Sequence, residues 1–409
     1  MTNVSVIQAE QLIRCAIKPA RTVVVPLADA VGEVLREPLK ADRPLPPFDR
    51  VMMDGIALSF DAWKRGCREF RIEGIQPAGV PSLFRHAAVG CIEVMTGAML
   101  PRGCDCVVPV EEIETRDGWV RITGDVTRGQ FIHRAGSDAR RGKVLVPPGK
   151  VLDGPAIAVA ASVGKTRLRV AQRPAIAIVS TGNELVDVGE RPLPHQIRLS
   201  NSHALAASLR LRGFRNVTFH RTGDAPPEQV LRRTLKADIV LLTGGVSKGR
   251  FDVVPEMLKR LGVREVFHRV RQRPGKPLWF GVATALCRRE GADAPTERGG
   301  YNTLVFGLPG NPVSCLVCLH RYVLPLLVGT DRRAVRRETA RRARRSRPTI
   351  VLTKPVRQGS LTVFLPVNNG VLVNLNTSGD FADLAKSDGF VEIPEGTGYV
   401  RRVRYWSWK

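Results

Sequence analysis

The amino-acid sequence predicts a multidomain α/β plus β protein whose central part is a three-layer α/β/α domain with a mostly parallel sheet. Between residues 172 and 328, short apolar runs alternate with segments of helical spacing, and several runs end in glycine. Residues 48–138 and the stretch after Pro348 contain short apolar runs separated by turn residues, which is typical of β structure. A chain of 409 residues is too long for one ordinary core.

Changes in composition predict the domain boundaries. Residues 4–17 and 27–35 have helical spacing, and Pro44, Pro46 and Pro47 then interrupt regular structure. We expect four domains: a discontinuous N-terminal helical and linking domain (1–47 and 139–171), an inserted β-rich domain (48–138), the α/β domain (172–328), and a basic linker with a small C-terminal β-barrel-like domain (329–409).

The net charge of +25 predicts an anionic partner. The sequence lacks zinc-finger spacing, an RNP-like motif and heptads, so nucleic acid is an unlikely partner. The arginine-rich run Arg332–Arg347 is typical of a solvated linker, and a patch for nucleic acid or an acidic partner stays the alternative. Small-molecule anionic substrates are therefore the expected ligands.

Cysteine use and hydropathy predict a cytoplasmic protein without membrane contact. No apolar run approaches 18 residues, and the N-terminal residues lack the pattern of a secretion signal. The cysteines are scattered, so we expect reduced thiols. The closely spaced pairs Cys104/Cys106 and Cys315/Cys318 are interpreted as structural.

The stretch 238–252 has the pattern of a strand, a glycine turn and a helix start. The apolar run 239–242 predicts a strand buried on both faces, and Gly244 and Gly245 follow it. Free N–H groups at such a turn favour anions. Ser247, Lys248 and Asp252 would then lie beside the bound anion; an ordinary βα turn is the alternative.

Two further strands of the same region also end in glycine turns. Thr181 and Gly182 follow one strand; in the other, Pro309 and Gly310 are followed by Asn311, which suits a helix cap, and Pro312, which suits the first helical position. The carboxyl ends of parallel strands share one edge of the sheet, where open α/β domains bind ligands. We therefore expect the three turns to converge.

Asp54 and Gly55 form a favoured turn dipeptide within the proline-rich stretch 46–57. Taken alone, Asp54 is interpreted as a turn residue. The surrounding sequence changes that interpretation, because a series of motifs follows in a fixed order. They are Pro47-Phe48-Asp49 with Met53-Asp54-Gly55, Thr96-Gly97-Ala98, Gly136-x-Asp138, Ser180-Thr181-Gly182-x-Glu184, Gly244-Gly245-Val246-Ser247, Pro274-Gly275-Lys276-Pro277 and Leu308-Pro309-Gly310-Asn311-Pro312.

This ordered series resembles the molybdopterin molybdotransferase family, of the MoeA and gephyrin E-domain type, over nearly the whole chain. The resemblance implies a MogA/MoaB-like central domain and an elongated homodimer. It also implies insertion of molybdate into adenylated molybdopterin with release of AMP, assisted by a divalent cation, usually Mg²⁺. A molybdopterin adenylyltransferase and molybdoenzyme maturation proteins are the candidate protein partners.

The resemblance also assigns roles to residues. Glu184 and Asp252 would bind the pterin or hold the metal, and Asp54, Thr96 and Asp138 would face them from the other subunit. The catalytic candidates are Asp54, Thr96, Asp138, Glu184 and Asp224. The candidates for substrate binding are Thr181, Gly182, Gly244, Gly245, Ser247, Lys248, Arg273, Lys276, Pro309, Asn311 and Pro312.

Several positions depart from the family pattern. Arg50, Val51 and Ile56 replace the usual Asn, Ser and Tyr; Ser137 replaces an acidic residue, and Asn183 replaces Asp. Each change removes acidity or hydrogen bonding, or adds positive charge, near the inferred site. The alternative function is therefore a catalytically impaired paralogue that binds molybdopterin as a carrier or scaffold.

Overall fold

The computed structural model describes residues 2–17, 20–224, 228–245, 254–283, 303–328, 348–374 and 381–409. The chain forms two compact units. Val24–Val170 is called the first unit, and Met1–Val23 together with Ala171–Lys409 is called the second unit.

A seven-stranded sheet forms the centre of the second unit. All its strands run in one direction except Trp279–Ala283, which is antiparallel to both neighbours. This confirms the predicted mostly parallel sheet. Across the sheet, the strands follow the order Thr2–Val4, Val263–Val270, Trp279–Ala283, Thr303–Leu308, Ile239–Thr243, Ile176–Thr181 and Val217–Thr222.

The two faces of this sheet face separate hydrophobic cores. Ile176 and Ile178 belong to one core, whereas Ala177 and Val179 belong to the other, because successive strand residues point to opposite faces. Helices supply apolar side chains to both cores, so the predicted three-layer arrangement is confirmed. The first core receives helices Val6–Ala16, Asn201–Leu211 and the run Pro312–Cys318, Leu319–Val323 (a π-helical turn) and Leu324–Val328, and the second receives Glu228–Thr234 and Val254–Arg260.

The N-terminal residues belong to the second unit. Thr2–Val4 pairs in parallel with Val263–Val270, and a capping box of Ser5 and Gln8 begins the following helix. Ile13 of that helix is fully buried in the first core. The N-terminal segment therefore lies in the compact second unit; the assignment of residues 1–47 to a linking domain and the division into four domains stay predictions.

The C-terminal part of the second unit is a small β domain built on one six-stranded sheet. Its core contains Leu352, Val367, Val391 and Val403. Its strands are Gln272–Arg273, Thr349–Arg357, Thr362–Asn368, Val371–Leu372, Gly389–Ile393 and Tyr399–Ser407; a short helix spans Phe381–Leu384, and a separate ladder joins Leu185–Val186 to Ile197–Arg198.

The first unit is β-rich, as predicted for residues 48–138. Its six-stranded sheet has the order Cys106–Pro109, Gly55–Leu58, Gly90–Val94, Glu69–Gln76, Trp119–Ile122 and Ile113–Arg116. Short ladders pair Arg50–Val51 with Ile132–His133, Leu39–Lys40 with Val144–Val146, and Thr22–Pro26 with Arg167–Ala171. The helical segments are Leu27–Asp29, Phe60–Lys64, Val110–Glu112 and Gly154–Ser162.

The helix predicted over residues 27–35 is wrong. Only one 3₁₀ turn forms, at Leu27–Asp29. Val34 and Leu35 instead make β-bridges with Val151 and Val170. The bridging contacts override the helical spacing of the apolar residues.

Candidate functional site

Three glycine turns meet at the carboxyl edge of the parallel strands. A Cβ atom added to Gly244, whose φ is +86°, would lie 2.3 Å from the carbonyl oxygen of Thr181. A Cβ atom added to Gly310 would lie 3.9 Å from the Cα of Gly244. The turns are therefore adjacent, as expected from the strand order, and the approach of Gly244 to the Thr181 carbonyl oxygen is possible only for glycine.

The Gly310 turn leads directly into a helix. Asn311 is the N-cap residue, and Pro312 is at the start of the helix, as predicted. The Asn201 side-chain amide donates to the Gly310 carbonyl oxygen over 2.6 Å. The turn is thereby attached to the start of a second helix, Asn201–Leu211.

Acidic side chains lie next to the Gly182 turn. The carboxylate of Glu184 folds back over Gly182, where both oxygens lie within 2.7 Å of the position a Cβ would take. The Asn183 amide donates to Asp224 Oδ2 over 2.7 Å, and the Asp224 N–H donates to Asn183 Oδ1 over 3.3 Å. Asn183 therefore supplies Asp224 with a donor, whereas an aspartate at that position would repel it.

The remaining binding candidates are less constrained. Arg273 pairs through its backbone with the Thr362–Asn368 strand, and its side chain and that of Lys276 are exposed. The predicted roles of Ser247, Lys248 and Asp252 lie outside the described residues, as does the run Arg332–Arg347.

Within the part of the chain that the structure describes, no three His, Cys, Asp or Glu residues form a metal-binding cluster. Mg²⁺ commonly takes only one or two protein carboxylates and completes its shell with water and substrate phosphates. The exposed carboxylate of Glu184 beside the glycine turns fits that mode of binding.

Asp54 and Thr96 form a pair in the first unit. Asp54 Oδ1 accepts from the Thr96 backbone N–H over 2.6 Å and from the Thr96 hydroxyl over 2.7 Å. These two hydrogen bonds, the backbone one being the stronger cause, lower the pKa of Asp54 below its ordinary value. Asp54 is thus a fixed, ionised and exposed carboxylate.

Two of the departures beside Asp54 are core residues. Val51 and Ile56 are each 1% exposed and pack in the two apolar clusters of the first unit. The Arg50 side chain is exposed, and its Nη2 lies 3.0 Å from Nδ1 of His133. The positive charge expected near Asp54 is the Arg50 guanidinium, and this group contacts the ring of His133.

His133 connects Arg50 to Asp138. Nε2 of His133 lies 2.9 Å from Asp138 Oδ1, and the hydroxyl of Ser137 lies 3.5 Å from the same oxygen. Sequence reasoning missed His133 because nothing in the linear spacing pairs it with Arg50. Its place three residues before the Gly136-x-Asp138 motif was the available signal.

The loop that carries Asp138 is held by the backbone of the proline-rich stretch. Gly136 N–H donates to Pro46 over 2.9 Å, and Asp138 N–H donates to Leu45 over 2.9 Å. Asp49 accepts from the Ala135 N–H over 2.8 Å and from Arg134 over 2.6 Å. The first and third motifs of the sequence therefore form one local structure.

Comparison with known proteins identifies the family. Residues 4–164 match the MoeA N-terminal region (domains I and II), and residues 177–328 match a probable molybdopterin binding domain. A molybdopterin molybdenumtransferase of Synechocystis sp. is 40% identical over 379 residues, which cover 89% of this chain and 88% of that protein. This chain belongs to the molybdopterin molybdenumtransferase family.

A second relative and a solved structure also match most or all of this chain. Molybdopterin molybdenumtransferase 2 of Mycobacterium tuberculosis is 30% identical over 336 residues, covering 79% of this chain and 78% of that protein. The crystal structure of a molybdopterin biosynthesis MoeA protein from Pyrococcus horikoshii matches with a TM-score of 0.78 and 26% identity, over 100% of this chain and 99% of that one. The predicted family and fold class are confirmed.

The closely spaced cysteines are buried thiols with raised pKa values. Cys315 and Cys318 are 1% and 0% exposed in the core of the second unit, and burial raises the pKa of Cys318 to about 12. Burial likewise raises the pKa values of Cys104 and Cys106 to about 12. These thiols are structural, as predicted.

None of the helices in the described ranges is long and apolar enough to cross a membrane.

Proposed function

We propose that this protein is a molybdopterin molybdenumtransferase of molybdenum cofactor biosynthesis. Its substrates are adenylated molybdopterin and molybdate, and its products are the molybdenum-loaded cofactor and AMP. The 40% identity to a molybdenumtransferase over 89% of the chain carries this proposal. The contacting glycine turns and the Asp54–Thr96 pair support it at the level of residues.

The glycine turns bind the phosphates of the substrate. Turn and helix-start N–H groups at Gly244, Gly245 and Gly310 bind these anions, whereas the Gly182 N–H donates to the Thr222 carbonyl oxygen over 3.1 Å, so Gly182 contributes the shape of its turn. Thr181, Pro309, Asn311 and Pro312 shape these turns, and Ser247, Lys248, Arg273 and Lys276 supply hydroxyl or positive groups.

Glu184 and Asp252 would hold Mg²⁺ when the substrate is bound. The ion would supply charge neutralisation at the phosphate oxygens of the substrate. Asp224, held by Asn183, orients water or substrate beside Glu184. Asp54, fixed by Thr96, and Asp138, fixed through His133, act on the same substrate as ionised carboxylates.

We also propose a homodimer in which Asp54 and Glu184 of different subunits serve the same reaction. Mixing inactive Asp54→Asn and Glu184→Gln proteins would then restore up to about a quarter of the wild-type activity, since one site of a mixed dimer is intact. Light scattering would report the dimer independently. Interaction with an adenylyltransferase or with maturation proteins, and cytoplasmic localisation, stay predictions.

The decisive experiment measures AMP release from adenylated molybdopterin with molybdate and Mg²⁺. We expect turnover by the wild type and a loss of about 100-fold or more in Asp54→Asn. Asp117→Asn is the matched control, because Asp117 is an 88% exposed acid of the same unit. Equal rates in wild type and Asp54→Asn would reject the assigned role.

The carrier alternative predicts a different result. A carrier would bind adenylated molybdopterin tightly and release no AMP at any Mg²⁺ concentration. It is not favoured, because the relatives are molybdenumtransferases and the departures have defined partners or core positions.

A further inference from the structure

A line of three side chains in the first unit joins Arg50, His133 and Asp138, and is called the His133 bridge. Arg50 and His133 lie directly opposite each other in an antiparallel ladder. Arg50 Nη2 is 3.0 Å from His133 Nδ1, and His133 Nε2 is 2.9 Å from Asp138 Oδ1. Both ring nitrogens are thus engaged, one by a cation and one by a carboxylate.

The chemistry of Arg50 determines where the ring proton lies. A guanidinium has only donors, so Nδ1 of His133 must accept and can carry no proton. Nε2 then carries the ring proton and donates it to Asp138 Oδ1. The imidazole is therefore neutral, and its tautomer is fixed by the partner on each side.

The bridge engages one oxygen of Asp138 and leaves the group accessible. The Asp138 side chain is 59% exposed, whereas that of His133 is 26% exposed. The Asp138 backbone is fixed separately by its N–H bond to Leu45 and by the Lys143 ammonium, which donates to its carbonyl oxygen over 2.8 Å. The bridge thus controls the direction of the carboxylate rather than the position of the loop.

We infer that His133 and Arg50 are positioning residues that orient the Asp138 carboxylate for the reaction. The inference rests on the proposed function for its kinetic consequence, but its structural content does not. It gives a use to Arg50, one of the departures from the family pattern. Orientation matters because a small misplacement of a catalytic group can cost up to about 100-fold in rate.

A purely structural contact between the two strands would behave differently. Its loss would lower the unfolding temperature and leave kcat and KM for AMP release unchanged. The backbone pairing of Arg50–Val51 with Ile132–His133 does not require either side chain, so side-chain variants are expected to fold.

The first test is the tautomer of His133, read by nitrogen NMR of the selectively labelled full-length protein. We expect a neutral ring protonated at Nε2 at pH 7, and a mixture of tautomers in Arg50→Met. A ring protonated at Nδ1 only, or a doubly protonated ring at pH 7, would overturn the inference.

The second test is the steady-state rate of AMP release. We expect kcat to fall about tenfold or more in His133→Ala with KM for adenylated molybdopterin within about twofold. His133→Gln, which can accept from Arg50 and donate to Asp138, should recover most of the loss. Arg50→Met should lose less than His133→Ala, and Arg116→Met, at a 93% exposed arginine, is the charge control.

The outcomes separate the two proposals. Unchanged kcat in a folded His133→Ala protein, with active wild type, overturns the positioning role and leaves the function standing. Absence of AMP release by the wild type overturns the function. The tautomer measurement then still decides whether the bridge holds Asp138.

Discussion

Replacing Arg321 with methionine tests a buried ion-pair network in the second unit. The Arg321 side chain is 1% exposed and donates to Glu392 over 2.9 Å and to Glu10 over 3.0 Å. Its guanidinium lies 4.9 Å from the ring centroid of Trp406. It therefore joins the N-terminal helix, the helical run 312–328 and the C-terminal sheet.

The expected loss in the free energy of unfolding depends on the partners that the carboxylates of Glu392 and Glu10 retain. Removing one partner of a buried ion pair costs about 3 to 5 kcal/mol, because the other charge remains buried. Glu392 retains the Trp406 indole N–H at 3.3 Å and Arg404 at 3.7 Å, and Glu10 retains Arg14 at 2.7 Å. We therefore expect the lower end, about 3 kcal/mol.

Urea unfolding, monitored by hydrogen exchange in the strand Gly389–Ile393, measures this loss of stability in the second unit. Arg14→Met is the control; Arg14 is a half-exposed partner of Glu10, and its loss should cost less than about 0.5 kcal/mol. Adding Glu392→Leu to Arg321→Met should recover part of the stability, since the unpaired charge is removed. A loss below about 1 kcal/mol in Arg321→Met would refute the reasoning.

Three further predictions concern pH and the site. Burial lowers the pKa of His320 to about 4, so as pH falls the unfolded chain binds a proton before the folded protein does. The free energy of unfolding should therefore fall as pH drops from about 6.5 towards 4, by about 2 kcal/mol at pH 5. Urea unfolding at pH 7 and pH 5 checks this, and His320→Gln should remove this pH dependence. Gly244→Ala should lower the free energy of unfolding by at least about 2 kcal/mol and remove most AMP release. The reason is that Gly244 has a φ of +86° and the added methyl would lie 2.3 Å from the Thr181 carbonyl oxygen. A stable, active variant would contradict the described turn. Thr96→Val removes a hydroxyl donor to Asp54, so the pKa of Asp54 should rise. The acid limb of the pH profile of kcat/KM should then move to higher pH. Thr96→Ser keeps the hydroxyl and should behave as wild type.

Short-range signals predict the second unit well. The apolar runs before Gly182, Gly244 and Gly310 are strands, because residues buried on both faces leave little choice of structure. Their order in the sheet then brings the turns together. The capping roles of Asn311 and Pro312 are local chemistry and were equally visible in the sequence.

Features set by distant contacts were not visible. The pairing of Thr2–Val4 with Val263–Val270 joins residues far apart in sequence, so no local pattern predicted it. The strand Tyr399–Ser407 has only a weak pattern in the sequence, because exposed arginines interrupt its apolar residues. His133 was missed because only the register of its ladder with Arg50 places the two side chains in contact.

The departures from the family pattern acquire meaning only from such contacts. Arg50 is bound to His133, and Asn183 donates to Asp224, so each of these two changes supplies a hydrogen bond to a neighbour in the site. Val51 and Ile56 fill apolar cores instead of leaving cavities beside Asp54. Asp54, Asp138 and Asp224 each accept from a specific donor, and these hydrogen bonds offset the side-chain entropy that orienting an exposed carboxylate costs. The three carboxylates therefore have defined orientations, as the proposed molybdenumtransferase function requires.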